Sequence, residues 1–170
     1  MEEKLKTILQ ELGNKFPRNI VEICNKMGIE VQETEQFPAN VSGLIYKKDE
    51  KYTILVNAFH TIGRKSFTIA HELGHYIKHK KFLDECSEMV SYIKSKDDNS
   101  VVPALTRCEE HYDKYETEAN SFAADVLMPQ DEFLKVCNNA NSIEEVAAHF
   151  GVSIQAATIR AQKTGGLFFL

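Results

Sequence analysis

The sequence predicts an α+β fold, mainly helical, with a small, largely antiparallel sheet and a C-terminal helical pair. Three observations carry that expectation. Segments near residues 64–80 and 107–128 place apolar residues at helical spacing. Three short runs near 29–33, 41–47 and 52–56 are rich in β-branched and aromatic residues. Residues 142–160 read as helix, glycine turn, helix.

In chain order, residues 2–13 predict a helix closed by Gly13, and 18–27 a second closed by Gly28. Of the three strands, the last two form a hairpin about the charged turn Lys48-Asp49-Glu50-Lys51. The run Tyr52-Thr53-Ile54-Leu55-Val56 is either an ordinary core strand or a strand whose free edge holds an extended peptide. A helix follows at 64–80. The stretch Lys94-Ser95-Lys96-Asp97-Asp98-Asn99-Ser100 is polar and aperiodic, and is expected to be a mobile loop, either a lid or a tolerated insertion. The next helix, about 107–128, ends at Pro129, and a short one spans 130–138. Residues 1–140 are expected to form the main domain, with 141–170 a helix-turn-helix-like subdomain packed on it.

Bulk properties narrow the class. A chain of 170 residues with 43% hydrophobic content supports one domain with a real core. A net charge of −5 argues against a dedicated nucleic-acid binder, whose footprint is basic. Cys24, Cys86, Cys108 and Cys137 lie far apart without a CxxC pair, which excludes a zinc ribbon and fits free thiols in a reducing compartment. The N-terminus Met1-Glu2-Glu3-Lys4-Leu5-Lys6 lacks an apolar signal core, and no apolar run approaches the ~20 residues of a membrane span. A soluble, cytoplasmic protein is expected.

The chemistry concentrates at His71-Glu72-Leu73-Gly74-His75, an HExxH string. On a helix, histidines four apart project from one face, so both imidazoles reach one metal ion. Glu72 sits about 100° round, close enough to serve as general base toward water activated by that ion. The helix also carries a stripe wide enough to bury: Ile69, Ala70, Leu73, Tyr76 and Ile77. A hydrolytic site needs a third protein ligand, and two glutamates of the 107–128 helix compete for the role. Glu118 shares its face with Lys114, Ser121 and Asp125, a solvated stripe. Glu116 shares its face with Tyr112, Asn120, Ala123 and Leu127, which can point inward, where a carboxylate is costly unless paired or metal-bound. Helix geometry selects Glu116. Asn120, one turn on, is placed to hydrogen-bond a ligating histidine.

Phe67-Thr68-Ile69-Ala70 before His71-Glu72-Leu73-Gly74-His75-Tyr76, followed by Glu116-x-x-Ala119-Asn120-x-Phe122-Ala123-Ala124-x-x-Leu127-Met128-Pro129, resembles the ImmA/IrrE family of metallo-endopeptidases. The resemblance runs from about residue 20 to 165. It implies a zincin-like helical core, with His71, His75 and Glu116 as metal ligands and Glu72 as catalytic base. It also implies a protein partner, a helix-turn-helix transcriptional repressor of a mobile element or stress regulon, which the enzyme cleaves. The segment 80–110 is long for this pattern, so the loop shaping substrate access is not predictable.

The expected function is therefore a zinc-dependent endopeptidase, although imidazole and carboxylate ligands also admit Mn²⁺ or Fe²⁺. The alternative is a non-catalytic metal-binding regulator that acts by binding the repressor. The C-terminal pair offers only Arg160 and Lys163 as cations on its second helix, beside Glu144 and Glu145, so direct DNA binding is not expected. It is read as closing one end of the core or as a partner-docking surface. His79, a further four residues on, is read as a rim residue or as a group polarising a substrate carbonyl. His111, Tyr112 and Tyr115 are unranked candidates for stabilising the oxyanion.

Overall fold

A computed structural model of the chain describes residues 1–84 and 112–166. Expectations for the 94–100 loop, Cys86, Cys108, His111 and the last four residues of the 141–170 subdomain lie outside those residues. The elements are α1 (Glu2–Leu12), α2 (Ile20–Met27), β1 (Ile29–Thr34), β2 (Gly43–Lys48), β3 (Lys51–Asn57), α3 (Ile62–Lys78), α4 (Tyr112–Leu127), α5 (Gln130–Asn139), α6 (Ile143–Phe150) and α7 (Ile154–Thr164). Their starts follow local chemistry. Asn19, Thr61, Ser142 and Ser153 each accept a hydrogen bond from a backbone N–H of the first turn they precede.

The sheet runs β1-β3-β2. It is mixed where the pattern predicted largely antiparallel pairing: β2 and β3 form the hairpin, but β1 lies parallel to β3, with Ile29 opposite Tyr52. The reason is burial. β3 carries the most continuous apolar run and takes the central place, with Tyr52, Thr53, Ile54 and Val56 all buried. This removes the 52–56 strand as a free edge for peptide. Among the described residues β1 and β2 are both edge strands, and β2 is the one that packs beside α3.

Helix α3 lies against β2 and β3 and packs along its length with α4. Gly74 makes the helix pair possible. A Cβ there would meet Phe122 Cδ1 at 3.0 Å and the Ala119 Cα and carbonyl O at 3.1 and 3.2 Å. The room expected at Gly74 is thus filled by α4. Ile23, Ile54, Leu73, Leu127, Phe133 and Phe150 are fully buried between these layers, each stabilising by about 1.5–3 kcal/mol relative to an exposed position.

The C-terminal pair shares this core. The Phe150 ring stands 5.6 Å from Phe133 and 5.0 Å from Phe16. Arg160 reaches the C-terminal end of α4, its Nε–H donating to the Met128 carbonyl at 3.0 Å and its Nη2 lying 2.8 Å from Asp125 Oδ1. Arg18, from before α2, donates to the Val126 carbonyl at the same end.

Cys24 and Cys137 are free and buried. Burial pushes the Cys24 thiol up to about 12, so little thiolate, the reactive form, exists near neutrality. Iodoacetamide applied to the native protein at mildly alkaline pH is expected to leave Cys24 unmodified, and the denatured protein is expected to react fully. Peptide mass spectrometry reads both. Rapid native labelling would show that α2 opens from the core.

Candidate metal centre

Helix periodicity brings His71 and His75 to the face of α3 that meets α4, and α4 turns Glu116 toward them. The two Nε2 atoms lie 3.0 Å apart. Glu116 spans the pair, with Oε2 at 3.2 Å from His71 Nε2 and Oε1 at 3.2 Å from His75 Nε2. Ligand atoms of the three side chains all fall within 4.8 Å of one another, so they can hold a metal ion.

The outward nitrogens settle what these donors need. His71 Nδ1 sits 3.0 Å from Asn120 Oδ1, an acceptor, so Nδ1 carries a proton. His75 Nδ1 sits 3.1 Å from His79 Nδ1, and His79 Nε2 is 2.9 Å from Glu118 Oε2. Glu118 accepts from the His79 Nε2–H, which leaves His79 Nδ1 to accept from the His75 Nδ1–H. Both Nε2 lone pairs then face each other and a carboxylate. Three electron-pair donors aimed at one point repel unless a cation lies among them. The donor set fits a divalent metal.

The electrostatics agree. Without an ion the same convergence must take up protons: burial alone would raise the Glu116 carboxyl, but His71 and His75 in their protonated forms outweigh it by hydrogen bonds and charge and hold the group at about 2. Burial likewise works to lower His71, and Glu116, Glu72 and Asn120 together push it up. Glu72 is only 7% exposed. Its burial raises the carboxyl, with Glu116 adding to this, while His71, His75 and the Ile45 backbone amide on β2 pull the other way. A carboxyl held toward its neutral form beside two imidazoles is placed to accept and release a proton.

The stripes on α4 sort the glutamates as helix geometry predicts. Asp125 on the Glu118 stripe is 66% exposed, whereas Ala123 and Leu127 on the Glu116 stripe are buried. Glu118 nonetheless has a partner that spacing did not reveal. His79 is not a rim residue: it is 6% exposed, hydrogen-bonded on both nitrogens and stacked on Tyr115 with ring centroids 4.3 Å apart. Helix α3 ends at Lys78, and His79 adopts φ −123°, ψ 27° as its cap. The regular helical drift therefore no longer applies, and the ring turns inward. Tyr115, an oxyanion candidate from sequence, packs on His79.

An HExxH helix braced by a second helix with an inward glutamate, whose three side chains could together hold a metal ion, has the form of a metal-dependent hydrolase. Comparisons with known proteins sharpen it. Residues 24–162 match the IrrE N-terminal-like domain. The chain is similar to Metallopeptidase ImmA of Bacillus subtilis strain 168, 26% identical over 164 residues, covering 89% of this chain and 78% of that protein. It is similar to Uncharacterized immunity region protein 2 of Bacillus phage phi105, 26% identical over 157 residues, covering 92% and 88% respectively. A solved structure titled Mycobacterium tuberculosis transcriptional regulator shares the fold with a TM-score of 0.63 at 21% identity. The match covers 93% of this chain but 44% of that one. The chain belongs to the ImmA/IrrE family of metallopeptidases. No helix among the described residues is long and apolar enough to cross a membrane.

Proposed function

We propose that the chain is a zinc-dependent endopeptidase that cuts a helix-turn-helix transcriptional repressor, with residues 1–140 as the peptidase domain and 141–170 packed on it. The observation that carries this reading is the convergence of His71 Nε2, His75 Nε2 and the Glu116 carboxylate beside the buried carboxyl of Glu72. The names of the two relatives, a metallopeptidase and a phage immunity region protein, support a regulatory substrate.

His71, His75 and Glu116 hold the ion, and two nitrogens with one carboxylate suit Zn²⁺, though Mn²⁺ and Fe²⁺ accept the same donors. When bound, the ion supplies Lewis acidity toward the scissile carbonyl and its attacking water. Glu72 takes the proton of that water and returns it to the leaving amine nitrogen. Asn120 fixes the ring of His71 by accepting from Nδ1–H, and Glu118 fixes His75 through His79. These two positioning contacts keep both Nε2 lone pairs directed at the ion and make the rings more basic.

Metal content by mass spectrometry on the wild type and three variants tests the assignment. One ion per chain is expected in the wild type, with loss in His75→Ala and Glu116→Gln. Glu118→Gln is expected to retain the ion but with affinity reduced about 10–100-fold, read by chelator competition. Metal that vanishes only with Glu118→Gln would overturn the choice of glutamate. A protein that never takes up metal would end the peptidase reading.

A further inference from the structure

A groove of ≈770 Å³ opens beside the metal centre, between the N-terminal half of α3, the middle of α4 and the exposed face of α7, with Ser42 at the entrance to β2 on its rim. Asn120 lines it and also holds His71 at 3.0 Å, so the groove reaches the immediate surroundings of the ion. Phe67 and Ala124 give part of its wall an apolar surface, and Ile159, 45% exposed, extends that surface onto α7.

Its charge is opposite to that of the chain. The protein carries a net −5, yet among the described residues the groove is lined by Arg64, Arg160 and Lys163 and by no carboxylate. Arg160 is committed to Asp125 and the Met128 carbonyl. Arg64 donates to Ser42 Oγ at 3.0 Å, and neither Arg64 nor Lys163, both exposed, has a carboxylate partner among the described residues. Among the described residues, two cations without a carboxylate partner therefore stand beside the apolar part of the wall. The wall bearing Lys163 is held rigidly, since Gly63 brings α3 against the turn before α7, where a Cβ would meet the Val152 carbonyl carbon at 2.8 Å.

We propose that this groove receives an acidic, amphipathic segment of the protein substrate flanking the bond to be cut. Its apolar side lies on Phe67 and Ile159, and its carboxylates meet Arg64 and Lys163. The proposal rests on the peptidase reading and gives the C-terminal pair a role in substrate choice. Duplex DNA fits less well, because Arg64 and Lys163 alone give few phosphate contacts.

The test is fluorescence anisotropy on the full chain carrying Glu72→Gln, so that nothing is cut. The probes are a short labelled peptide of interleaved leucine and glutamate, its leucine–lysine counterpart, and a short labelled DNA duplex. At low salt the glutamate peptide is expected to bind about tenfold more tightly than the lysine one. Arg64→Glu with Lys163→Glu is expected to abolish or invert that preference, and Lys48→Glu on the distant β2–β3 turn is expected to preserve it. Equal binding of both peptides, or a preference that survives the double reversal, overturns the proposal. So does duplex binding that the double reversal abolishes, which would assign the groove to nucleic acid. Metal content of the same samples separates the two readings. A chain that holds its ion but prefers neither peptide loses the groove and keeps the peptidase. Acidic-peptide binding by a chain that takes up no metal overturns the substrate role of the segment together with the peptidase.

Discussion

Replacing Glu72 by glutamine is expected to abolish cleavage while leaving the metal and the fold in place. Glutamine has the same shape and lacks the basic oxygen, so the water loses the group that takes its proton. Removing a positioned general base costs about 10²–10⁴ in rate. The fold is spared because the carboxyl is buried and pushed toward its neutral form, and a neutral amide there carries no penalty for a buried charge. None of the three side chains proposed to hold the metal changes. Incubation with a purified repressor substrate, analysed by intact-mass spectrometry, gives the rate, and a thermal melt with metal analysis checks the rest. Cleavage at the wild-type rate would place the base elsewhere. Release of the repressor from its operator without cleavage would favour a regulator that acts by binding.

The second large effect is expected at Gly74. Substitution of a helical glycine by alanine gains roughly 0.5–1 kcal/mol from backbone entropy, but the new Cβ would press on Ala119 and Phe122 at 3.0–3.2 Å. Overpacking costs about 1–3 kcal/mol, so Gly74→Ala is expected to be destabilised by up to about 2.5 kcal/mol and Gly74→Val by more, lowering Tm by about 2–4 °C for each kcal/mol. The functional loss exceeds the structural one. Ala119 is backbone of α4 one turn from Glu116, so relief of the clash carries Glu116 away from the histidine pair. Gly74→Val is therefore expected to retain helical circular dichroism and lose metal under a chelator that the wild type withstands. Unchanged Tm and metal retention would show that α3 and α4 are not held at this contact.

The site was more legible than the sheet around it, for physical reasons. Helical spacing is rigid enough that His71 and His75 had to share a face, and the apolar company of Glu116 against the polar company of Glu118 decided which carboxylate turned inward. Strand order has no such local rule. Tyr52 to Val56 look alike as a central or an edge strand, and only burial on both sides, by β1 and β2, distinguishes them. His79 was misread because a helical wheel presumes a helix, and α3 stops one residue short of it. The groove lay beyond reach altogether, because its walls come from three helices distant in sequence.

Two arginines from opposite ends of the chain meet at the last turn of α4. Arg18 donates to a carbonyl 108 positions away and Arg160 to one 32 positions away. A helix leaves its final carbonyls without partners inside the helix, and an unmet buried acceptor costs about 1–3 kcal/mol. The C-terminal end of α4 is therefore stitched from both sides, by a residue before α2 and by one on α7. A fragment trimmed to the span from His71 to Glu116 would keep the candidate donors and lose both arginines that satisfy the end of the helix carrying Glu116.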